Sequence, residues 1–358
     1  MAKPLVTHVL WALGRGGAER MVLDLARRLP DVGYAVRVVA AGGGGEMEQD
    51  FLDAGVELSI NPNPGSRRGA VSFLRQEIAN HRPAVWHTHL TPVWGGLAAR
   101  SSFIRPWVAT IHGYESGLSL PMRLARSFAY RRADYVVCVS EAVRNSLRVG
   151  GALRPSRSTV IPPGIDPDRF RPREPRLAGD TPELLTVSRL VPEKGLDVLL
   201  EALSGVLRPW RLTIVGDGPE MESLKRQAEV LGIIPRVRFV GGTSDPAMYF
   251  QRADLFCLPS RTEGQGIALL EAAMARVPSL ASDLPAVREA FGEDAMAYAP
   301  PGSVDGWRRA LERVLARYPE TLARADRAQA AVGSRYTLDV MAKSHAELYR
   351  RLLGRRAV

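Results

Sequence analysis

The 358-residue chain, 46% hydrophobic and 24% charged, has the composition of a globular protein and is too apolar to be disordered. Its length suits two domains, its two cysteines (Cys138 and Cys257) exclude a disulfide scaffold or a four-cysteine zinc module, and no apolar run is long enough for a membrane-spanning helix. The net charge of +10 is uneven: residues 67–157 hold 14 basic against 4 acidic groups, which suits phosphates, anionic headgroups or nucleic acid, or simply a solvated surface.

Lys3 and the Leu5–Leu13 run imitate a signal peptide. His8 interrupts that run and Gly14-Arg15-Gly16-Gly17 follows it, so a first strand over Val6–Leu13 ending in a glycine turn is the better reading. A cytoplasmic protein is expected on that basis. Ala18–Leu29 follows as a helix, with Val22, Leu25, Ala26 and Leu29 at helical spacing. Tyr34–Ala40 reads as a strand and Phe73–His81 as a helix. Ala84–His89, Trp107–His112 and Tyr135–Ser140 are short apolar runs of the kind that parallel strands buried on both faces present. Between them, Pro121–Arg132 sets Met122, Leu124, Ala125, Phe128 and Ala129 among Arg123, Arg126, Arg131 and Arg132. Two readings stay open: an amphipathic interfacial helix, or a buried helix with snorkelling arginines.

Pro162-Pro163, Pro167, Pro172 and Pro175, beside Gly164 and Gly179, mark an interdomain linker, with the boundary near residue 172. The scheme then repeats. Strands are expected at Glu183–Val187, Arg211–Val215, Val237–Val240 and Asp254–Leu258. Helices are expected near Gly195–Leu207, from Gly218-Pro219-Glu220 with the proline in the first turn, and over Ile267–Arg276. Ala133–Ser140 resembles Ala253–Ser260, thin support for two similar α/β domains. Asp305–Leu353 is helical in composition. The expected division is therefore 1–171, 172–337, and a terminal helix 338–358 that packs back on the first domain.

Three segments carry chemistry. In Gly14-Arg15-Gly16-Gly17-Ala18-Glu19-Arg20 a strand runs through glycines into a helix, whose N-terminal N–H groups favour an anion. It is not a dinucleotide fingerprint: Glu19 stands where the third glycine belongs, and no acid ends the second strand. A tight turn without a ligand remains the plain alternative. In Ser188-Arg189-Leu190-Val191-Pro192-Glu193-Lys194-Gly195, Arg189 and Lys194 fall at the carboxyl edge of the second sheet and suit a diphosphate, unless both are merely solvated. In Ser260–Glu271, Glu263 sits in a loop and Glu271 about one turn into the next helix, while Gly264 and Gly266 allow close backbone approach. Two carboxylates suit a hydroxyl-rich ligand; ordinary surface glutamates would look the same.

These segments, with His112-Gly113, Ile161-Pro162-Pro163-Gly164-Ile165-Asp166 and Val215-Gly216-Asp217-Gly218-Pro219, occur in an order that resembles the retaining glycosyltransferases of the two-domain GT-B fold, family four, across about residues 5–350. The resemblance implies an α/β architecture of two Rossmann-like doubly wound domains facing across a cleft, the first for the acceptor and the second for a nucleotide sugar. It implies that Gly16 and Gly17 approach the donor phosphates, and that Arg189 and Lys194 stabilise the diphosphate leaving group. Glu263 would hold sugar hydroxyls, Gly264, Gln265, Gly266 and Ile267 would line the donor, and Glu271 would bind ribose. Val240 would lie near the base and His112 near the donor sugar, with His87 and His89 as weaker rivals. Gln265 departs from the aromatic residue common at its position, and Arg276 from the usual glycine.

The activity implied is that of a retaining hexosyltransferase acting on a lipid-linked or cell-envelope glycan (lipopolysaccharide, capsule or exopolysaccharide). The expectation is of a chain without an Asp-x-Asp triplet, and hence of no obligatory metal, nor of any cofactor beyond the nucleoside-diphosphate sugar co-substrate. Arg123, Arg126, Arg131 and Arg132 are the expected membrane or acceptor contacts, which would place the protein peripherally on the inner face of the cytoplasmic membrane. Nucleic acid is not an expected partner, since recognised binding modules and aromatic-basic interleaving are both missing. A catalytically silent GT-B subunit that partners another enzyme is the rival reading, opposed by the intact Arg189, Lys194, Glu263 and Glu271 and kept open by Gln265.

Overall fold

The computed structural model describes residues 2–114, 118–174 and 179–354. Pro175 of the proline cluster and the last four residues of the expected 338–358 helix lie outside the described residues. The chain forms two compact units, one of Met1–Gly164 together with the C-terminal segment from Leu338, the other of Ile165–Thr337. It passes into the second unit at Gly164–Ile165, upstream of Pro172. It enters and leaves that unit side by side, with Ile165 N donating to Tyr336 O at 2.7 Å.

The first unit is a seven-stranded sheet of β1 (Leu5–Leu10), β2 (Ala35–Ala40), β3 (Glu57–Ile60), β4 (Val85–His89), β5 (Trp107–Ile111), β6 (Tyr135–Cys138) and β7 (Ser158–Val160). All neighbours pair parallel, in the order β3-β2-β1-β4-β5-β6-β7. Every residue of β4, β5 and β6 is buried, as parallel strands covered on both faces require. The central apolar runs therefore carry no alternation, and each fully buried valine or leucine contributes about 1.5–3 kcal/mol of burial. The Leu338–Gly354 helix completes this unit: Leu338, Met341, Ala342, Leu348, Tyr349 and Leu352 join its core, and Tyr34 Oη donates to Ala346 O at 3.2 Å.

The second unit holds β8 (Glu183–Val187), β9 (Arg211–Val215), β10 (Val237–Gly241), β11 (Leu255–Leu258), β12 (Ser279–Ser282) and β13 (Ala297–Ala299), parallel in the order β10-β9-β8-β11-β12-β13. Taken from the first strand of each unit, both sheets run 3-2-1-4-5-6, the doubly wound Rossmann order. The helix expected to start at Gly218 spans Met221–Val230 with Glu220 as its N-cap, so Pro219 precedes it rather than lying in its first turn.

The common strand order also corrects the internal repeat. Ala133–Ser140 contains the sixth strand of its sheet, whereas Ala253–Ser260 contains the fourth. What the segments share is a device: Asp134 Oδ2 accepts the Trp107 N–H at 2.8 Å, and Asp254 Oδ2 accepts the Glu183 N–H at 2.9 Å. In each case an aspartate just ahead of one strand caps the first donor of its parallel neighbour. Among the described residues no helix is long and apolar enough to cross a membrane.

Candidate active site

In each sheet strand order reverses beside the first strand, so the loops leaving β8 and β11 run in opposite directions and open the place where such sheets hold ligands. Lys194 ends the short helical turn Pro192–Lys194 after β8. Glu263 lies in the loop after β11. Lys194 Nζ donates to Glu263 Oε1 at 2.6 Å, and the fully buried Ser260 hydroxyl donates to the same oxygen at 2.7 Å. A cation and a carboxylate 69 positions apart are thus joined, with 23% and 7% of their side chains exposed. Arg189, in the loop that leads to Lys194, is exposed and makes no ion pair among the described residues.

Glycines set the spacing of these loops. A Cβ on Gly195, at φ +64°, would collide with the Pro259 carbonyl oxygen, and one on Gly216 with that of Ser188. Gly195 therefore lets the β8 loop lie against the β11 loop, and Gly216 lets Ser188–Leu190 lie along the loop after β9. Leu190 N donates to Asp217 O at 2.8 Å in the same contact.

Gly266, at φ +78°, caps the Ile267–Met274 helix, and Glu271 is buried within that helix. Gln265 is 3% exposed; its amide lies beside the Tyr336 hydroxyl and has no other partner among the described residues. Val240 is the extra residue of a bulge, since Phe239 pairs with Ile214 and Gly241 with Val215. Such a bulge re-aims a side chain at a strand end.

In the first unit Gly16 is the N-cap, and Gly17 the first residue, of the Gly17–Arg28 helix after β1. His112 follows β5 directly and is half-buried; its Nε2 lies 3.0 Å from Nδ1 of the buried His89. Burial, with the charges of His345 and Arg126, holds His112 down at about 3. The Leu120–Arg132 helix buries Ala129 and Tyr130 and leaves Leu120, Leu124 and Phe128 exposed by 65%, 63% and 58%. Arg123 is exposed, Arg126 half-buried, Arg131 donates to Gly151 O at 3.2 Å, and Arg132 stacks on the Phe128 ring at 4.6 Å.

Residues 168–331 match the family described as Glycosyl transferases group 1, and residues 15–169 match Glycosyltransferase Family 4. The chain is 34% identical over 290 residues to the GDP-mannose-dependent alpha-(1-6)-phosphatidylinositol monomannoside mannosyltransferase of Mycobacterium tuberculosis, a match covering 72% of this chain and 71% of the relative. The chain belongs to glycosyltransferase family 4.

A further relative is a phosphatidylinositol N-acetylglucosaminyltransferase component of Arabidopsis thaliana, 29% identical over 332 residues and matched over 85% of this chain and 72% of its own. In fold, the crystal structure of Anabaena Alr3699/HepE in complex with UDP and glucose superposes with a TM-score of 0.87 over 98% of this chain and 100% of that one, at 21% identity. The architecture is that of the GT-B glycosyltransferases.

Two features of this family-4 site escape the sequence reading. Arg261 grips Asp197 with both guanidinium nitrogens, at 2.8 and 2.6 Å, and also donates to Pro192 O at 2.6 Å. This fork ties the loops that carry Lys194 and Glu263, and the hydrogen bond to Arg261 pulls the Asp197 carboxyl below its ordinary range. No sequence signal separates Asp197 from any acid in a first helical turn. The second feature is the company of His112: His8, His87, His89 and His345 lie together with it. Only His87 and His89 are visible as candidates in the sequence, because partners on the first strand and the last helix are brought in by the fold.

The expectation that the chain lacks an Asp-x-Asp triplet is wrong: Asp166-Pro167-Asp168 is one. Asp166 Oδ1 accepts the Asp168 N–H at 3.0 Å in a local turn. Among the described residues the one group of three or more with metal-ligand spacing is His8, His87 and His89.

Proposed function

We propose that this family-4 glycosyltransferase moves a sugar from a nucleoside-diphosphate sugar to a hydroxyl of a lipid-linked or cell-envelope glycan, with retention and without an obligatory metal. The observation that carries the reading is the Lys194–Glu263 hydrogen bond at the end of β8 and β11. In a nucleotide sugar the phosphates and the sugar hydroxyls are adjacent, so a ligand that draws Lys194 to its phosphate meets Glu263 with its sugar. Lys194, with Arg189 on the same loop, neutralises the charge that builds on the departing diphosphate. Contacts that strengthen as that charge develops lower the barrier. Glu263 and the Gln265 amide accept and donate hydrogen bonds to sugar hydroxyls. Glu271 takes the ribose, Val240 the base, and Gly264, Gly266 and Ile267 offer the backbone at the helix start. By the family resemblance, His112, Gly16 and Gly17 are assigned to the donor as well. Retention follows the family resemblance, with the acceptor attacking from the leaving-group face.

The named relatives act with GDP-mannose or on phosphatidylinositol, so GDP-mannose and a phosphoinositide-type acceptor head the panel. Thermal-shift screening against GDP-, UDP-, ADP- and TDP-sugars, followed by a transfer assay in EDTA and proton NMR of the product anomer, tests the reading. Stabilisation by one donor and a retained anomeric configuration are expected. No response to any nucleotide sugar would overturn it.

The exposed apolar strip Leu120, Leu124 and Phe128 recurs every fourth residue and is flanked by Arg123 and Arg132. A hollow of about 310 Å³ lined by Arg67, Arg68, Arg75, Val71, Trp94 and Leu97 adds to the basic surface of the same unit. These features support a peripheral seat on anionic lipid. Co-sedimentation with anionic but not neutral vesicles, weakened in Leu124→Glu, is the expected result; equal binding to both would refute it.

A further inference from the structure

In the first unit the Arg67–His81 and Pro92–Ser101 helices pack side by side and enclose a hollow of about 310 Å³. Arg67, Arg68, Val71, Ser72 and Arg75 line one wall, at positions i, i+1, i+4, i+5 and i+8 of a single helical stripe. Trp94 and Leu97, three residues apart, form the other. That volume lies at the small end of the range of about 300–1,000 Å³ for pockets that hold a small molecule.

The charge on the first wall is uncompensated. No acid lines the hollow, and among the described residues none of the three guanidinium groups has a hydrogen bond or an ion pair. Arg67 lies over the Trp94 ring at 5.5 Å instead. Arg67 and Arg68 are also the first two residues of their helix, whose first turn holds no acid. Unbonded N–H groups give that end of a helix a partial positive charge, which favours anions and disfavours cations. Two arginines there work against the helix, and an anion in the hollow offsets them.

The opposite wall selects the kind of anion. Leu97 is 49% exposed and Trp94 half-buried, so an occupant meets apolar surface on one side and guanidinium groups on the other. A free inorganic ion uses only the charged side. The Pro92–Ser101 helix also packs against the Leu120–Arg132 helix, whose Leu120, Leu124 and Phe128 are exposed. Charged wall, aromatic edge and apolar strip thus follow one another across three adjacent helices, in the order of phosphate, interface and hydrocarbon that a lipid presents.

We propose that this hollow is a discrete site for one phosphate-bearing headgroup of an anionic membrane lipid. Arg68 and Arg75 hold the phosphate oxygens as planar forks, with the Ser72 hydroxyl, between them on the stripe, as a further donor. Trp94 takes the glycerol and Leu97 the start of an acyl chain. The inference rests on the peripheral-seat reading and narrows it from diffuse attraction to one site and one ligand class.

Dihexanoylphosphatidylglycerol, kept below the concentration at which it forms micelles, is titrated into the full chain by calorimetry at about 0.15 M salt, where attraction between distant exposed charges is largely screened. One saturable site is expected. Arg68→Gln with Arg75→Gln should weaken it by about tenfold or more, the worth of a charge-assisted contact. Arg154→Gln with Arg157→Gln removes the same charge elsewhere in the unit, and should change the affinity by no more than about twofold. All four arginines are exposed, so both double variants should unfold close to the wild-type midpoint. Equal weakening in the two would show a diffuse basic surface and overturn the proposal. So would equal affinity for dihexanoylphosphatidylcholine, which lacks the net charge, or for inorganic phosphate, which lacks the lipid. Absence of saturable binding by the wild-type protein would overturn it before any variant is made. Because the short-chain lipid offers no membrane surface, a lost vesicle preference with intact binding in the hollow would sink the peripheral seat alone. Vesicle binding without a saturable site for the short-chain lipid would sink this inference alone.

Discussion

Lys194 Nζ and Glu263 Oε1 lie 2.6 Å apart, and Ser260 donates to the same carboxylate oxygen. The lysine thus neutralises a buried carboxylate within the protein itself. Lys194→Ala is expected to lower transfer by about 10²–10³, the cost of one lost transition-state contact. It should also lower stability by about 1–3 kcal/mol, because a buried acceptor loses its charged partner. Adding Glu263→Ala should recover stability but not transfer. Urea unfolding and initial rates on the two variants separate these effects; near-normal turnover in Lys194→Ala would remove the lysine from the mechanism.

Arg261 holds Asp197 by two parallel bonds and so pins the loop that carries Lys194 to the loop that carries Glu263. Both groups are part-exposed, at 39% and 46%, so the tie orients more than it stabilises. Arg261→Lys keeps the charge but not the fork. It is expected to cost about tenfold in kcat/KM, on the scale of one charge-assisted hydrogen bond, with an unfolding midpoint close to wild type. A large drop in midpoint with unchanged kcat/KM would show the reverse.

The central strands are legible in the sequence because their largely buried, mostly apolar or β-branched residues stand between Pro, Gly or polar breaks: β4, β5, β6, β8 and β9 fall within a residue or two of their expected bounds. β3, β7, β12 and β13 are three or four residues long; Glu57, Ser158 and Ser279 put a polar residue at the start of the first three, and β13 is cut to Ala297–Ala299 ahead of Pro300-Pro301. Their neighbours in the sheet define them. Arg276 is a sharper case. It stands where glycine is usual and adopts φ +60°, a left-handed conformation an arginine disfavours, and its guanidinium is engaged by Asp326 at 2.5 Å. The motif departure is visible in the sequence; the aspartate that accompanies it lies 50 positions away. For the proposed site, motif order nominates Arg189, Lys194 and Glu263, whereas nothing in it nominates the Asp197–Arg261 pair or the hydrogen-bonded line of His112, His89 and His8. Their partners are unremarkable residue types until the fold brings them together.

Gln265 carries a buried amide with little to bond to besides the Tyr336 hydroxyl. An unsatisfied amide is expensive in an empty site and valuable when a ligand's hydroxyls satisfy it. Gln265→Leu should therefore leave the free protein as stable as wild type or slightly more so. It should also reduce the thermal shift given by the preferred nucleotide sugar, while the shift given by the nucleoside diphosphate alone persists. Equal losses for both ligands would place Gln265 away from the sugar.

Acid should unfold the first unit earlier than its carboxylates alone would dictate. Burial, with smaller contributions from neighbouring charges, holds His8 and His112 down at about 3 and His345 at about 4, and depresses His87 and His89 well below the ordinary histidine value. In the unfolded chain each titrates near 6.5. Below that pH the unfolded state binds more protons than the folded one, so stability falls as pH falls, from about 6.5 down to the folded values. Each such histidine contributes up to about 1.4 kcal/mol per pH unit in that window. Between pH 6.5 and 5 the unfolded-state carboxylates are still largely ionised, so a decline there belongs to the histidines. Urea midpoints at pH 7.5, 6.5, 5.8 and 5.0 should drop progressively below pH 6.5, and less steeply in His345→Phe, which removes one buried imidazole. A flat profile across that range would mean that the cluster is not buried and neutral in solution.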